Sequence, residues 1–416
     1  RFDLESGTET VIPSVVSSLA RRLDFDSSGT LLLLAGGEVS GIVDISGRRP
    51  PRALARLRTP IVTGGWLDGR TAAMILSDGL IRVIDTAPDP ALTRATIPAS
   101  WCFGLAFSPS GSKMAIGVQA ACIVDLAKPT ELAFTEFGPA NNRIRSLKFL
   151  RDNRTLVYGN VDGMTRIFDT ETREELAKMS STHGETFSID VDPGETMIAS
   201  GHRDGSIVLW DLATRQLITT FPKLPRRVEG MIFTPDGRKI ISAGSVKSVV
   251  VWDVESRSIL RKLQCSEDPW AIAITPDGKT IGVSTQGGSV DLFDAETYEL
   301  KSTVRGHNRL IPGLAFSPDG KYFATGSEDG RMKLWELATG KVMLTLDPAA
   351  GVVVNVLFDP SGRYLVGTTS ARFAAIYDLE LYRQRILDEE PVQRARLGIP
   401  AEPLVETAPT PTKSGT

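Results

Sequence analysis

Hydrophobic and polar residues alternate in short runs along nearly the whole chain. Met231–Phe233, Lys239–Ser242, Val249–Trp252 and Ser258–Leu263 are typical, with turn residues between them. Successive side chains of a strand point to opposite faces, so a period of two predicts half-buried β-strands. The turns repeat in form. Ser317-Pro318-Asp319-Gly320 precedes Trp335, Thr275-Pro276-Asp277-Gly278 precedes Phe293, and Thr234-Pro235-Asp236-Gly237 precedes Trp252. Asp359-Pro360-Ser361-Gly362 stands likewise before Tyr377. Proline presets φ, aspartate bonds back to nearby backbone and glycine accepts positive φ, so each tetrapeptide predicts a tight hairpin turn.

These units recur at one spacing. An aromatic or aliphatic residue followed by an acid ends an alternating run at Asp3, Asp44, Asp85, Asp125, Asp169, Asp211, Asp253, Asp294, Glu336 and Asp378. Successive differences are 41, 41, 40, 44, 42, 42, 41, 42 and 42 residues. Each period holds four short antiparallel strands, here called a to d. A lone four-stranded sheet leaves both faces uncovered, whereas sheets arrayed radially bury each face against the next. The expected fold is therefore all-β, a β-propeller of four-stranded antiparallel blades.

The same residues resemble the WD-repeat (WD40) family. Arg305-Gly306-His307 through Leu334-Trp335-Glu336 is close to its consensus, and Ser200-Gly201-His202-Arg203-Asp204-Gly205 through Leu209-Trp210-Asp211 is a second strong match. The resemblance implies a buried hydrogen-bonded tetrad in some blades. It maps onto His307, Thr325, Asp329 and Trp335, and onto His183, Ser200, Asp204 and Trp210. Val246, Gly287 and Ala371 stand where other blades would carry the tetrad aspartate, and Asp78 and Asp162 match without histidine partners. Those blades are expected to rely on apolar packing. Degenerate blades and few histidines also look like the WD regions of bacterial multidomain proteins, which often sit C-terminal to a signalling or regulatory domain.

Blade number is open at this level. In one arrangement residues 98–387 form seven blades closed by a strand at Ala91–Ile97, and residues 1–97, two blades plus that strand, are the remnant of a truncated preceding propeller. In another, nine blades form a single ring, with Thr8–Ile12 as the outer strand of the last; an eight-bladed ring is a third. Leu379–Leu387 reads as a helix, with Leu379, Tyr382 and Ile386 on one stripe. Residues 388–416 are expected to be helical and then a disordered tail rich in proline and threonine.

Composition narrows the function. The 416 residues are 41% hydrophobic, enough for a large core, and 47 Lys+Arg against 50 Asp+Glu give a net charge of −3. That balance argues against a general nucleic-acid or anionic-membrane binder. No apolar run approaches the roughly 18 residues of a membrane helix. Three cysteines (Cys102, Cys122, Cys265) cannot build a disulfide framework, so buried free thiols and a cytoplasmic location are expected.

Catalytic chemistry is sparse. His183 and His307 are assigned to tetrads and His202 to a solvated turn, and no His/Cys cluster has metal-ligand spacing. No nucleophile elbow and no phosphate-binding glycine loop is present. The sequence thus points to no enzyme, no cofactor and no metal. It leaves the loops that converge on one face of a propeller, the d–a and b–c loops. These carry Trp101, Arg143, Arg203, Arg226, Arg227, Lys247, Trp270, Arg309 and Arg372. Arginine and tryptophan are the types most enriched at binding hot spots. The expected function is a protein-interaction scaffold taking a protein, an acidic or phosphorylated peptide, or an upstream domain of the same polypeptide. Two rivals are a secreted or periplasmic propeller with an enzymatic or cofactor-binding role, and a structural subunit of a multiprotein assembly.

Overall fold

The computed structural model describes residues 104–118, 121–125, 134–137, 143–346, 348, 351–370 and 373–382, together with eight strands between Arg22 and Thr96. The six repeats between Gly104 and Leu346 each form one four-stranded antiparallel sheet, its strands side by side in chain order. The third blade of the ring shows the pattern: Thr186–Val191, Met197–His202, Ile207–Asp211 and Leu217–Thr220 as strands a to d. Strands b and c are buried almost throughout, whereas strand d has no buried residue. That gradient is what radial packing requires, since the middle of each sheet is covered on both faces and only its outer edge meets water. Every described c–d pair from the second blade to the sixth carries a register shift beside its aromatic residue, as between Leu209 and Trp210. Such bulges bend the outer edge and blunt it against pairing with another chain.

The seventh blade decides the ring size. Its strands Val353–Phe358, Tyr364–Thr369 and Phe373–Asp378 are completed by Leu92–Thr96, antiparallel to the third, with Phe373 opposite Thr96 and Tyr377 opposite Leu92. After Asp378 the chain turns helical at Leu379, so it supplies no fourth strand of its own there. The ring therefore has seven four-stranded blades, and the nine- and eight-bladed alternatives are corrected: Leu92–Thr96 lies on the last sheet and does not continue the sheet before it. Two further sheets stand outside the seven. Arg22–Phe25, Leu31–Ala35, Ser40–Asp44 and Arg52–Leu57 form one of four strands, and Ile61–Trp66, Thr71–Leu76 and Ile81–Asp85 form one of three. Arg1–Val15 and the tail 388–416 lie outside the described residues.

Packing confirms closure. Leu105, Met114, Ile116 and Val124 of the first blade share one apolar cluster with Val366, Ala374 and Ile376 of the seventh. Equivalent clusters fill the other interfaces, such as the one uniting Leu209, Val228, Ile240 and Trp252. The a–b turns repeat the same contact around one end of the ring. Gly278, at φ +71°, would place a β-carbon 3.5 Å from Pro235 of the preceding turn, and Gly111, at φ +74°, would place one 3.5 Å from Pro360. The first blade thus meets the seventh as neighbouring blades meet elsewhere. Only glycine takes that left-handed backbone without cost, which explains the turn signature read in the sequence.

The two histidine blades differ. His307 bonds Asp329 through Nδ1 and Thr325 through Nε2, each at 2.8 Å, and Trp335 Nε1–H donates to Thr325 Oγ1 at 2.8 Å. All four assigned residues meet. In the third blade Trp210 donates to Ser200 at 3.0 Å, but the imidazole on Ser200 is that of His202, at 3.0 Å. His202 is fully buried, and its Nδ1 lies 3.2 Å from the Gly184 carbonyl oxygen. His183 instead pairs with Asp204 at 3.1 Å, nearer the surface. The assignments of His183 to the tetrad and of His202 to a solvated turn are therefore corrected. His202 ends strand b two residues after Ser200, so both side chains point to the same buried face.

Where the histidine is missing, other groups fill in. Trp252 still donates to Ser242, at 2.8 Å. In the second blade, Asp162 is bound by the buried Arg166. The blades of Val246 and Gly287, which lack the tetrad aspartate, are held by apolar clusters, and Asp78 and Ala371 lie outside the described residues. Cys122 and Cys265 are buried and form no disulfide, the thiol of the latter pushed up to about 12 by burial and by Asp291. Cys102 lies outside the described residues.

Candidate functional site

Loops from neighbouring blades meet because backbone bonds pin them together. The d–a loop after Leu217–Thr220 crosses the preceding b–c turn, with Val228 N–H donating to the His202 carbonyl at 3.1 Å, and reaches its own blade through Arg226 N–H to Gly244 O at 2.9 Å. A cleft of about 360 Å³ opens there, lined by Arg203, Arg226, Arg227, Glu229, Asp268 and Trp270 among others. A second cleft, containing Asn308, Arg309, Leu310 and Glu328, shares Trp270 and Gln286 with the first. The two form one groove spanning several blades.

The groove gathers five of the nine residues selected from the loops: Arg203, Arg226, Arg227, Trp270 and Arg309. Lys247 adjoins it, its backbone N–H donating to Asp268 at 2.9 Å, in a turn that it holds at φ 49°. Arg143 is exposed before the second blade and lines neither cleft. Trp101 and Arg372 lie outside the described residues.

Acids answer most of these cations. Arg226 bonds Asp268 at 2.7 Å, Arg203 bonds Glu185 at 2.9 Å, and Arg227 is ion-paired with Glu229. The Arg227 guanidinium also lies 5.1 Å from the Phe187 ring centre and 5.8 Å from that of Trp270. Arg145 approaches Phe187 as well, at 4.6 Å, with Glu185 at 3.6 Å. Cation–π contacts of this kind contribute about 0.5–2 kcal/mol and orient the guanidinium plane. Burial lowers Arg145 and raises Glu229, whereas the Lys247 N–H and Arg226 hold Asp268 below the usual carboxylate range.

Arg145, Phe187 and Glu229 escaped the sequence reading. Their signal is positional: with Trp270, Pro312 and Val354 they stand immediately before the last four residues of strand a in the second to seventh blades, spaced 42, 42, 41, 42 and 42 apart. Register shifts fall there in several blades, between Ile144 and Ser146, Thr186 and Ser188, and Pro269 and Ile272. A bulge re-aims its side chain, which accounts for an inward strand delivering residues to a surface groove. Three residues further along strand a, Lys148 meets Asp190 at 2.7 Å, and Asp190 accepts the Phe233 N–H at 2.8 Å, tying three blades together.

No group of three or more His, Cys, Asp or Glu side chains is placed to hold a metal ion among the described residues. The WD domain, G-beta repeat family matches the chain at residues 175–211 and 298–336, the two windows that hold the histidine–hydroxyl–tryptophan chains. WD repeat-containing protein 91 of Xenopus tropicalis is similar, 24% identical over 206 residues that cover 41% of this chain and 27% of that protein. The chain thus spans about a quarter of the length of that curated relative.

Proposed function

We propose that this WD-repeat β-propeller is a non-catalytic docking platform whose groove, lined by Trp270, Arg203, Arg226, Arg227 and Arg309, takes a protein or peptide segment. Propellers of this family are generally non-catalytic and bind proteins. The observation that carries the reading is the convergence in one groove of arginines and a tryptophan chosen for their type and loop position alone. Each is the hot-spot type of residue, held on a rigid scaffold that pays little ordering entropy on binding.

The ligand is read as acidic, because Arg226 and Arg227 can each take a carboxylate in two-pronged geometry; a phosphorylated residue would use the same fork. An upstream domain of the same polypeptide is one source of such a segment, and the two sheets between Arg22 and Asp85 are read as blades of a preceding ring. The buried thiols Cys122 and Cys265 support a reducing, cytoplasmic setting. The test is an array of peptides graded in Asp, Glu and phosphoserine content, probed with the parent chain and with the Arg226→Glu/Arg227→Glu variant. The parent should bind the acidic members and the variant should lose them with its circular dichroism unchanged. Equal binding by both would remove these arginines from the site.

A further inference from the structure

The groove already holds a carboxylate, and that fact leads beyond the general reading. Two acids from the chain itself sit on its two central arginines, Glu229 on Arg227 and Asp268 on Arg226. They are not equivalent. Asp268 is fixed from two sides, accepting the Lys247 backbone N–H at 2.9 Å as well as the Arg226 guanidinium at 2.7 Å. The side-chain hydrogen bond of Glu229 goes to Arg227. Arg227, by contrast, is held from elsewhere, with Phe187 and Trp270 against its guanidinium.

We propose that Glu229 is an internal stand-in for the ligand, its carboxylate filling the seat on Arg227 that an aspartate or glutamate side chain of the docked peptide takes on binding. This rests on the acidic-peptide reading above and specifies its chemistry. The seat is shaped for a carboxylate because one occupies it: the guanidinium fork is oriented by two rings, and the side chain of Arg227 remains 47% exposed for an incoming group. Glu229 is only 14% exposed, so displacement leaves a carboxylate in a poorly solvated place. Burial raises its proton affinity, and Arg145, among the charges that act on it, offers a second cation. The groove is thereby self-neutralised, and a ligand must outcompete an acid tethered two residues away.

The experiment uses the full chain and fluorescein-labelled decaglutamate as the probe, read by anisotropy at low salt. Glu229→Gln keeps the shape of the side chain and removes its charge, and should tighten binding about tenfold, the equivalent of about 1.4 kcal/mol. Arg227→Gln should abolish that gain, so the double variant should bind like Arg227→Gln alone. Glu328→Gln, which removes an acid from the neighbouring cleft, should change affinity less than twofold. A gain from Glu328→Gln equal to that from Glu229→Gln would make the effect a long-range field and overturn the proposal. Unchanged or weaker binding by Glu229→Gln, with the parent binding normally, would overturn it while leaving the docking reading intact. Failure of the parent and every variant to bind decaglutamate would overturn both.

Discussion

The His202 imidazole should make the stability of the ring fall steeply in mild acid. It is fully buried, bonded to Ser200 through Nε2, and its Nδ1 faces the Gly184 carbonyl and the Ser181 hydroxyl. The titratable groups that act on it are His183, whose ring centre lies 5.7 Å away, and Asp204, itself bound by His183 and Lys223. Burial outweighs the favourable carbonyl and lowers the imidazole from 6.5 to about 4. The sign follows from which state takes the proton first. The unfolded chain protonates His202 below pH 6.5, the folded one only near pH 4, so stability is present above 6.5 and is lost as the pH falls between the two values. At 1.36 kcal/mol per unit the whole loss is about 3 kcal/mol, of which about 2 kcal/mol is gone by pH 5. The assay is urea unfolding followed by tryptophan fluorescence at pH 7.5 and pH 5.0, for the parent and for His202→Gln, which carries an amide instead of a titrating ring. The advantage of the parent should shrink by about 2 kcal/mol between the two pH values. Parallel losses in the two proteins would show that His202 is not held neutral, and the argument from burial would fail.

Two more outcomes follow from the fold. Thr325→Val keeps shape but leaves Trp335 Nε1–H and His307 Nε2 without their shared hydroxyl, and should cost about 1–3 kcal/mol in the same unfolding assay. A cost below a few tenths would mean the tetrad is dispensable. Ala95 and Ala374 are opposed in register on the closing sheet, so the pair Ala95→Cys and Ala374→Cys should form a disulfide on oxidation, found by mass as two linked peptides. Failure to link in a folded sample would break the seven-bladed closure.

Architecture was legible because propeller blades repeat. Period, turn signature and aromatic–acid endings each recur many times, so local accidents average out. Ring size was not, since it depends on which sheet Leu92–Thr96 joins, a choice between distant partners that pattern cannot rank. The two histidine blades show the same boundary at the scale of one residue. In the sixth blade spacing and geometry agree at His307. In the third, spacing points to His183, but His202, two residues after Ser200 on the same buried face of strand b, makes the bond, and His183 pairs with Asp204 instead. Five of the nine loop residues line one groove, whereas Phe187, which meets Arg227, sits at a bulge in strand a, where simple alternation misstates the aim of a side chain.

The hem of the seventh blade has a consequence for biosynthesis. Its first-made ribbon, Leu92–Thr96, leaves the ribosome roughly 280 residues ahead of Phe373–Asp378, a delay of about 15–55 s at ordinary elongation rates. Throughout that interval six wedges can stack while the circle stays unfastened and one five-residue thread waits with its amides unpaired. The nascent chain is therefore most vulnerable to mispairing and to chaperone capture just before the final repeat emerges.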